Sequence, residues 1–231
     1  MAYSRGHKRR LALRYLFFAL GVAINSFGIA VITKAALGTS PISSVAYVLD
    51  LAFPPTLGEF TFVINLVFIG IQIALLRRDF QPVQFLQIVV NVVFSALIDV
   101  SMAALGTFEP TGLAAQLAAL LIGCTILAFG IAVEVAPNVI VVPGEGAVRA
   151  ISSVSAKPFG SCKVAFDVTL VAIALVLSLA FFRGIQGLGI GTVVSALLVG
   201  RIVNLFNRFV PFLAAIARLS RSEVGAPEAA A

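Results

Sequence analysis

The chain has 231 residues, 60% of them hydrophobic and only 11% charged, with a mean hydropathy of +1.09. This apolar excess excludes an ordinary water-soluble domain, and a lone histidine, His7 in the basic N-terminus, excludes histidine-based triads and histidine metal sites. The net charge of +6 lacks the basic patch with interleaved aromatics of a nucleic-acid surface, so no nucleic-acid partner is expected.

Residues 1–11 form a basic N-terminus, and the first apolar run covers about 12–34. Arg5, Lys8, Arg9, Arg10 and Arg14 in front of such a run mimic a signal peptide, but the run is about twice the length of a signal core, so it is read as a retained span. Further runs cover about 58–77, 82–104, 112–134, 160–182 and 187–206, each near the roughly 20 residues that cross a bilayer. None alternates with a period of two, so all six are predicted helices rather than barrel strands. Cys124 and Cys162 lie in apolar helices without a CxxC pair and read as packing residues. The tail, 209–231, is predicted to begin as an amphipathic basic helix and to end disordered.

The pentapeptide Phe27-Gly28-Ile29-Ala30-Val31 returns as Phe129-Gly130-Ile131-Ala132-Val133. At the same spacing Gly21 falls on Gly123, Pro41 on Pro143, Gly58 on Gly160 and Asn65 on Asp167. A register that carries glycines, prolines and an amide/carboxylate pair marks two copies of one unit, over 12–106 and 112–208. Three spans per copy is an odd number, so the second copy enters the membrane from the opposite side, as in inverted-repeat transporters. Basic residues set the orientation. With the N-terminus inside, only Lys34 and Arg183 face out and the other fourteen of 16 face in, so both termini are expected in the cytoplasm.

After the first span of each copy comes a segment too apolar for a plain loop. Gly38-Thr39-Ser40-Pro41 leads into one, and Pro143-Gly144-Glu145-Gly146 with Arg149 into the other. Proline at a first helical position is a helix-start signal, and about ten residues are too few to span, so each is predicted to be a re-entrant half-helix. Two such starts would converge with free N–H groups and the positive dipole end toward a ligand, and the flanking glycines let backbone approach it. Gly38, Thr39, Ser40, Pro41, Asn65, Pro143, Gly144, Glu145, Gly146 and Arg149 are therefore the candidate substrate-binding residues. Asp167 and Asp99, carboxylates within spans, are the candidate coupling residues. Asp167 has an alternative reading as the partner of Lys163, one helical turn earlier.

The stretches Gly38-Thr39-Ser40-Pro41-Ile42-Ser43-Ser44, Val142-Pro143-Gly144-Glu145-Gly146 and Gly191-Thr192-Val193-Val194-Ser195-Ala196-Leu197 resemble the YczE/YyaS/YitT group of bacterial inner-membrane proteins, closest to its YczE-like branch. The resemblance covers about residues 12–210 and implies a multi-pass protein of the bacterial inner membrane. The expected fold is thus all-α, six transmembrane helices in two inverted three-helix repeats, each with a re-entrant half-helix. The expected function is a small secondary transporter, not an enzyme, that moves a small molecule or ion without a bound cofactor or metal; there is no Walker loop for ATP. A channel of aquaporin-like plan and a non-transporting accessory protein of a membrane-bound biosynthetic complex are the alternatives. Membrane lipid is the expected partner, and a homodimer is left open by the small size.

Overall fold

A computed structural model describes residues 2–224, with side-chain surroundings for residues 9–219. Among the described residues every regular element is helical. Helix α1 (Ala2–Lys34) is followed by a 3-10 turn (Pro41–Ser43) and α2 (Ser44–Ala52), then α3 (Leu57–Leu76) and α4 (Leu86–Ala104). The second half runs α5 (Leu113–Val135), α6 (Pro143–Ser155), α7 (Phe159–Phe182), α8 (Ile190–Phe209) and α9 (Pro211–Val224). Six helical segments are long and apolar enough to cross a membrane: Arg9–Lys34, Leu57–Asp79, Pro82–Ala104, Leu113–Val135, Phe159–Phe182 and Ile190–Phe209. They match the expected spans to within a few residues. The basic N-terminus is not a separate segment, because no proline interrupts α1 between Ala2 and the apolar run. The side chains of Arg5, His7, Lys8 and Arg221, and the predicted disordered end at 225–231, lie outside the described residues.

Local chemistry sets the boundaries. Thr56 and Glu59 form a reciprocal capping box at the start of α3. Pro143 occupies the first turn of α6, which ends at Ala156 in the left-handed conformation. Pro211 has no N–H to continue α8 and forces Val210 into extended backbone, so the tail turns away as α9.

Helices α1 and α5 form the centre, with 61% and 56% of their apolar windows buried, whereas α7 and α8 are 17% buried and face outward. The outward faces of α3, α4, α7 and α8 carry exposed Val63, Val67, Val89, Val164, Val168 and Leu197, a surface suited to hydrocarbon. α1 and α5 cross antiparallel at a distance set by four glycines. Gly21 lies against the backbone of Glu134, Gly28 against Leu127, Gly123 against Ile32 and Gly130 against Asn25. Small residues allow this approach where helices cannot rely on water to drive them together. The repeat register of the sequence exchanges these contacts in pairs: moving Gly21 and Ile32 by its spacing gives Gly123 and Glu134, and moving Gly28 and Asn25 gives Gly130 and Leu127. The short helices obey the same exchange, α2 packing on α7 and α6 on α3.

Candidate functional site

The starts of α2 and α6 meet in the interior. The tip of Ile42 fills the space in front of Gly144, with the Phe68 ring beside it, and a Cβ on Gly144 would overlap the Ile42 Cδ1. Ile42 and Gly144 are equivalent positions of the two sequence copies, so a residue here touches its own counterpart. Phe68 lies near the middle of α3, so the junction sits deep between the two ends of the bundle. The flanking segments differ in chemistry.

On the α2 side, hydroxyls satisfy one another. Thr33 and Thr39 share a hydrogen bond of 2.8 Å, Ser40 donates to Ser43 at 3.0 Å and Ser44 to the Pro41 carbonyl at 2.6 Å. Gly38, at φ 109°, lets the chain press onto the start of α8, where the Gly191 N–H donates to the Leu37 carbonyl at 2.8 Å. The Thr192 hydroxyl beside it is buried and has no hydrogen-bond partner among the described residues. On the α6 side, Gln72 donates to the Pro143 carbonyl at 3.1 Å and exchanges amide hydrogen bonds of 3.0 and 3.1 Å with Gln87. Gly146 exists where a Cβ would fall on the Gln72 amide, 2.5 Å from Oε1. Asn65 donates to Asn91 at 2.8 Å, a buried link between α3 and α4 rather than a free group.

The carboxylates fall into three settings. Asp99 accepts from the Thr56 hydroxyl at 2.7 Å and from the Gly58 N–H at 2.8 Å, which makes it a second anionic cap on α3. Asp50, at the end of α2 and outside the six spans, is pushed up to about 6, by burial first and the Asp99 charge second, against the Leu57 N–H. Asp99→Ala should destabilise the protein by about 1 kcal/mol through the lost cap, read as a lower midpoint in thermal unfolding in detergent. Asp167 pairs with Lys163 at 2.5 Å along the partly exposed face of α7. Glu134 is the exception. It is 1% exposed, Oε2 accepts from Asn25 at 2.8 Å, and Oε1 has no hydrogen-bond partner among the described residues. Glu145, on the first turn of α6, is within electrostatic reach of Glu134 and also of Lys163 and Arg149.

Of the residues picked out by the sequence, Pro41, Pro143, Gly144 and Gly146 thus gather at or beside the junction. Gly38, Thr39 and Ser40 lie on its α8 side and Glu145 on its α5/α7 side, while Arg149 is exposed and Asp99 is remote, at the start of α3. Glu134, Asn25, Gln72 and Gln87 stand out in the sequence as polar residues within apolar runs but were not among the candidate site residues. Glu134 carried a usable signal: it follows the repeated pentapeptide directly, where the first copy has Ile32, so an acid replaces an apolar residue inside a span. Arg14, counted as a topology charge, is 8% exposed and donates from Nε to the Pro137 carbonyl and from Nη2 to the Asn138 carbonyl, both at 2.9 Å, closing the end of α5. An apolar cleft of about 260 Å³ between α1 and α4, lined by Tyr15, Phe18, Val22, Val89 and Val93, offers almost no polar surface to a solute.

Six apolar helices around a buried polar junction define a multi-pass helical membrane protein. Residues 12–208 match a family of unknown function (DUF6198), and the chain belongs to that family. It has no significant match among curated proteins or among solved structures.

Proposed function

We propose that this protein is a small secondary transporter of the bacterial inner membrane, a YczE-like protein built from two inverted three-helix repeats. In this reading α2 and α6 are re-entrant half-helices, both termini are cytoplasmic, and a small solute passes between the half-helix starts. The observation that carries it is the contact of Ile42 with Gly144, equivalent positions of the two copies, at the level of Phe68. The exchange of glycine contacts between α1 and α5 supports the inverted symmetry, because only a two-fold relation returns each contact with its members swapped. The half-helix starts supply dipole ends and close backbone, and the Ile42 side chain closes the path in the present conformation. No chemistry step is needed for this role, and the polar groups act by binding.

Single-cysteine labelling in a background without Cys124 and Cys162 tests both parts. Cysteines at Glu109 and Arg183 should react from the outside, and those at Arg77 and Lys157 from the cytoplasm. A cysteine at Ser43, which is 3% exposed, should react with a small water-soluble reagent from at least one side and faster than one at Ala174, which is 0% exposed and away from the junction. Reversed labelling of the first four overturns the orientation. A Ser43 cysteine as inert as the Ala174 one overturns transport and favours a non-transporting accessory protein.

A further inference from the structure

Glu134 and Glu145 lie within electrostatic reach of each other, and one oxygen of Glu134 has no partner among the described residues. Glu134 lies against Gly21, midway along the α1 span, and is 1% exposed. Its Oε2 is held by Asn25 of α1, and the Val142 N–H at the start of α6 faces the same carboxylate. Its Oε1 is buried without a partner among the described residues. Charged groups on neighbouring helices face it or its neighbour. α6 contributes Glu145, which itself faces Arg149 of the same helix and Lys163 of α7. On α1 the nearest charge, Arg14, is bound to the Pro137 and Asn138 carbonyls beyond the end of α5. Among the described residues, Val203 and Phe206 of α8 and Leu213 and Ile216 of α9 form an apolar cluster with Ala132 and Val133 of α5.

We infer that Glu134 is a proton-binding site coupled to Glu145, and that it supplies the coupling ion for the transport proposed above. The inference deepens that reading and rests on it for the word coupling, but not for the proton site itself. A fully buried carboxylate within reach of a second acid does not stay ionised without a compensating cation; Glu134 is the buried one, and Lys163 and Arg149 face the half-buried Glu145. The proton adds to Oε1 of Glu134, turning the unpartnered acceptor into a hydroxyl, while Oε2 continues to accept from Asn25. A metal ion fits poorly, since the groups aimed at the carboxylate are N–H donors, and no group of three or more His, Cys, Asp or Glu suited to a metal occurs among the described residues. Val142 is two residues from Gly144, so a change of charge at Glu134 acts at the junction itself. Asp167, with its partner on the next turn, has no such role.

Infrared difference spectroscopy of the full chain in lipid vesicles, titrated with pH, tests this. A carboxylic-acid C=O band should persist at neutral pH, disappear in Glu134→Gln, and remain in Asp167→Asn. Glu145→Gln, which removes the neighbouring charge, should move the loss of the band to lower pH. Were Glu134→Gln not to fold, the Glu145→Gln shift decides alone, and its absence overturns the proposal. A band that survives Glu134→Gln also overturns it. A band that vanishes when sodium chloride is added at fixed pH assigns the site to sodium and not to a proton. None of these results depends on water reaching Ser43, so failure of the proton site and failure of the transport reading are separately visible.

Discussion

Replacing Gly130 by valine should abolish the folded protein, with loss of the monodisperse peak in detergent and no measurable unfolding transition. An ideal Cβ at Gly130 lies 2.8 Å from the Asn25 Cα and 2.9 Å from the Ile24 carbonyl carbon, so it meets backbone and not a side chain that can rotate away. Overpacking of this kind costs about 1–3 kcal/mol where side chains yield, and more where two helix backbones must separate. Separation would also break the Asn25–Glu134 hydrogen bond, which crosses the same interface, and leave a buried carboxylate with no donor from α1. With total stabilities of about 5–15 kcal/mol, the sum is a large fraction of the whole. Gly70→Val is the control, because nothing lies within 4 Å of the position on α3. A folded Gly130→Val protein of unchanged midpoint would mean that α1 and α5 do not cross there.

The second large effect is functional. Gly144→Val places a branched side chain where the Ile42 tip now sits, and the Phe68 ring lies 3.7 Å from the new Cβ. Here the obstacle is the end of a flexible side chain, so the expected stability loss is modest, about 1–2 kcal/mol. The protein should insert and purify normally, while a cysteine at Ser43 loses its reactivity toward water-soluble reagents by tenfold or more. Gly70→Val again serves as control. Gly187 does not, because at φ 75° any side chain is strained whatever surrounds it. Undiminished Ser43 reactivity in Gly144→Val would show that water reaches the interior by another route than the α2/α6 junction.

Gly130 and its counterpart Gly28 show where sequence reasoning reaches and where it stops. Gly28 and Gly130 stood out as members of a repeated pentapeptide, yet the repeat does not say what they touch. Their partners are not each other but Leu127 and Asn25, three residues before the equivalent glycine, an offset that arises only once two helices cross antiparallel. Ile42 shows the same limit. It was one more apolar residue after Pro41, and only its place against Gly144 makes it the plug of the junction.

Composition, run length and the internal repeat determined by themselves that the chain is helical, that it has six segments able to cross a membrane, and that a short helix follows the first span of each copy. These are properties of one segment at a time: about 20 apolar residues must satisfy their own backbone in lipid, and proline and glycine punctuate them. The fate of each polar side chain was decided by tertiary structure. Asp99, Asp167 and Glu134 are all carboxylates in apolar runs, and no local pattern ranks them. Packing gives Asp99 the Gly58 N–H and the Thr56 hydroxyl at the start of α3 and leaves Asp167 beside Lys163, but it buries Glu134 against Gly21 with one oxygen unpartnered among the described residues. A buried charge costs by what surrounds it in three dimensions, and those neighbours come from helices more than a hundred residues away in the chain.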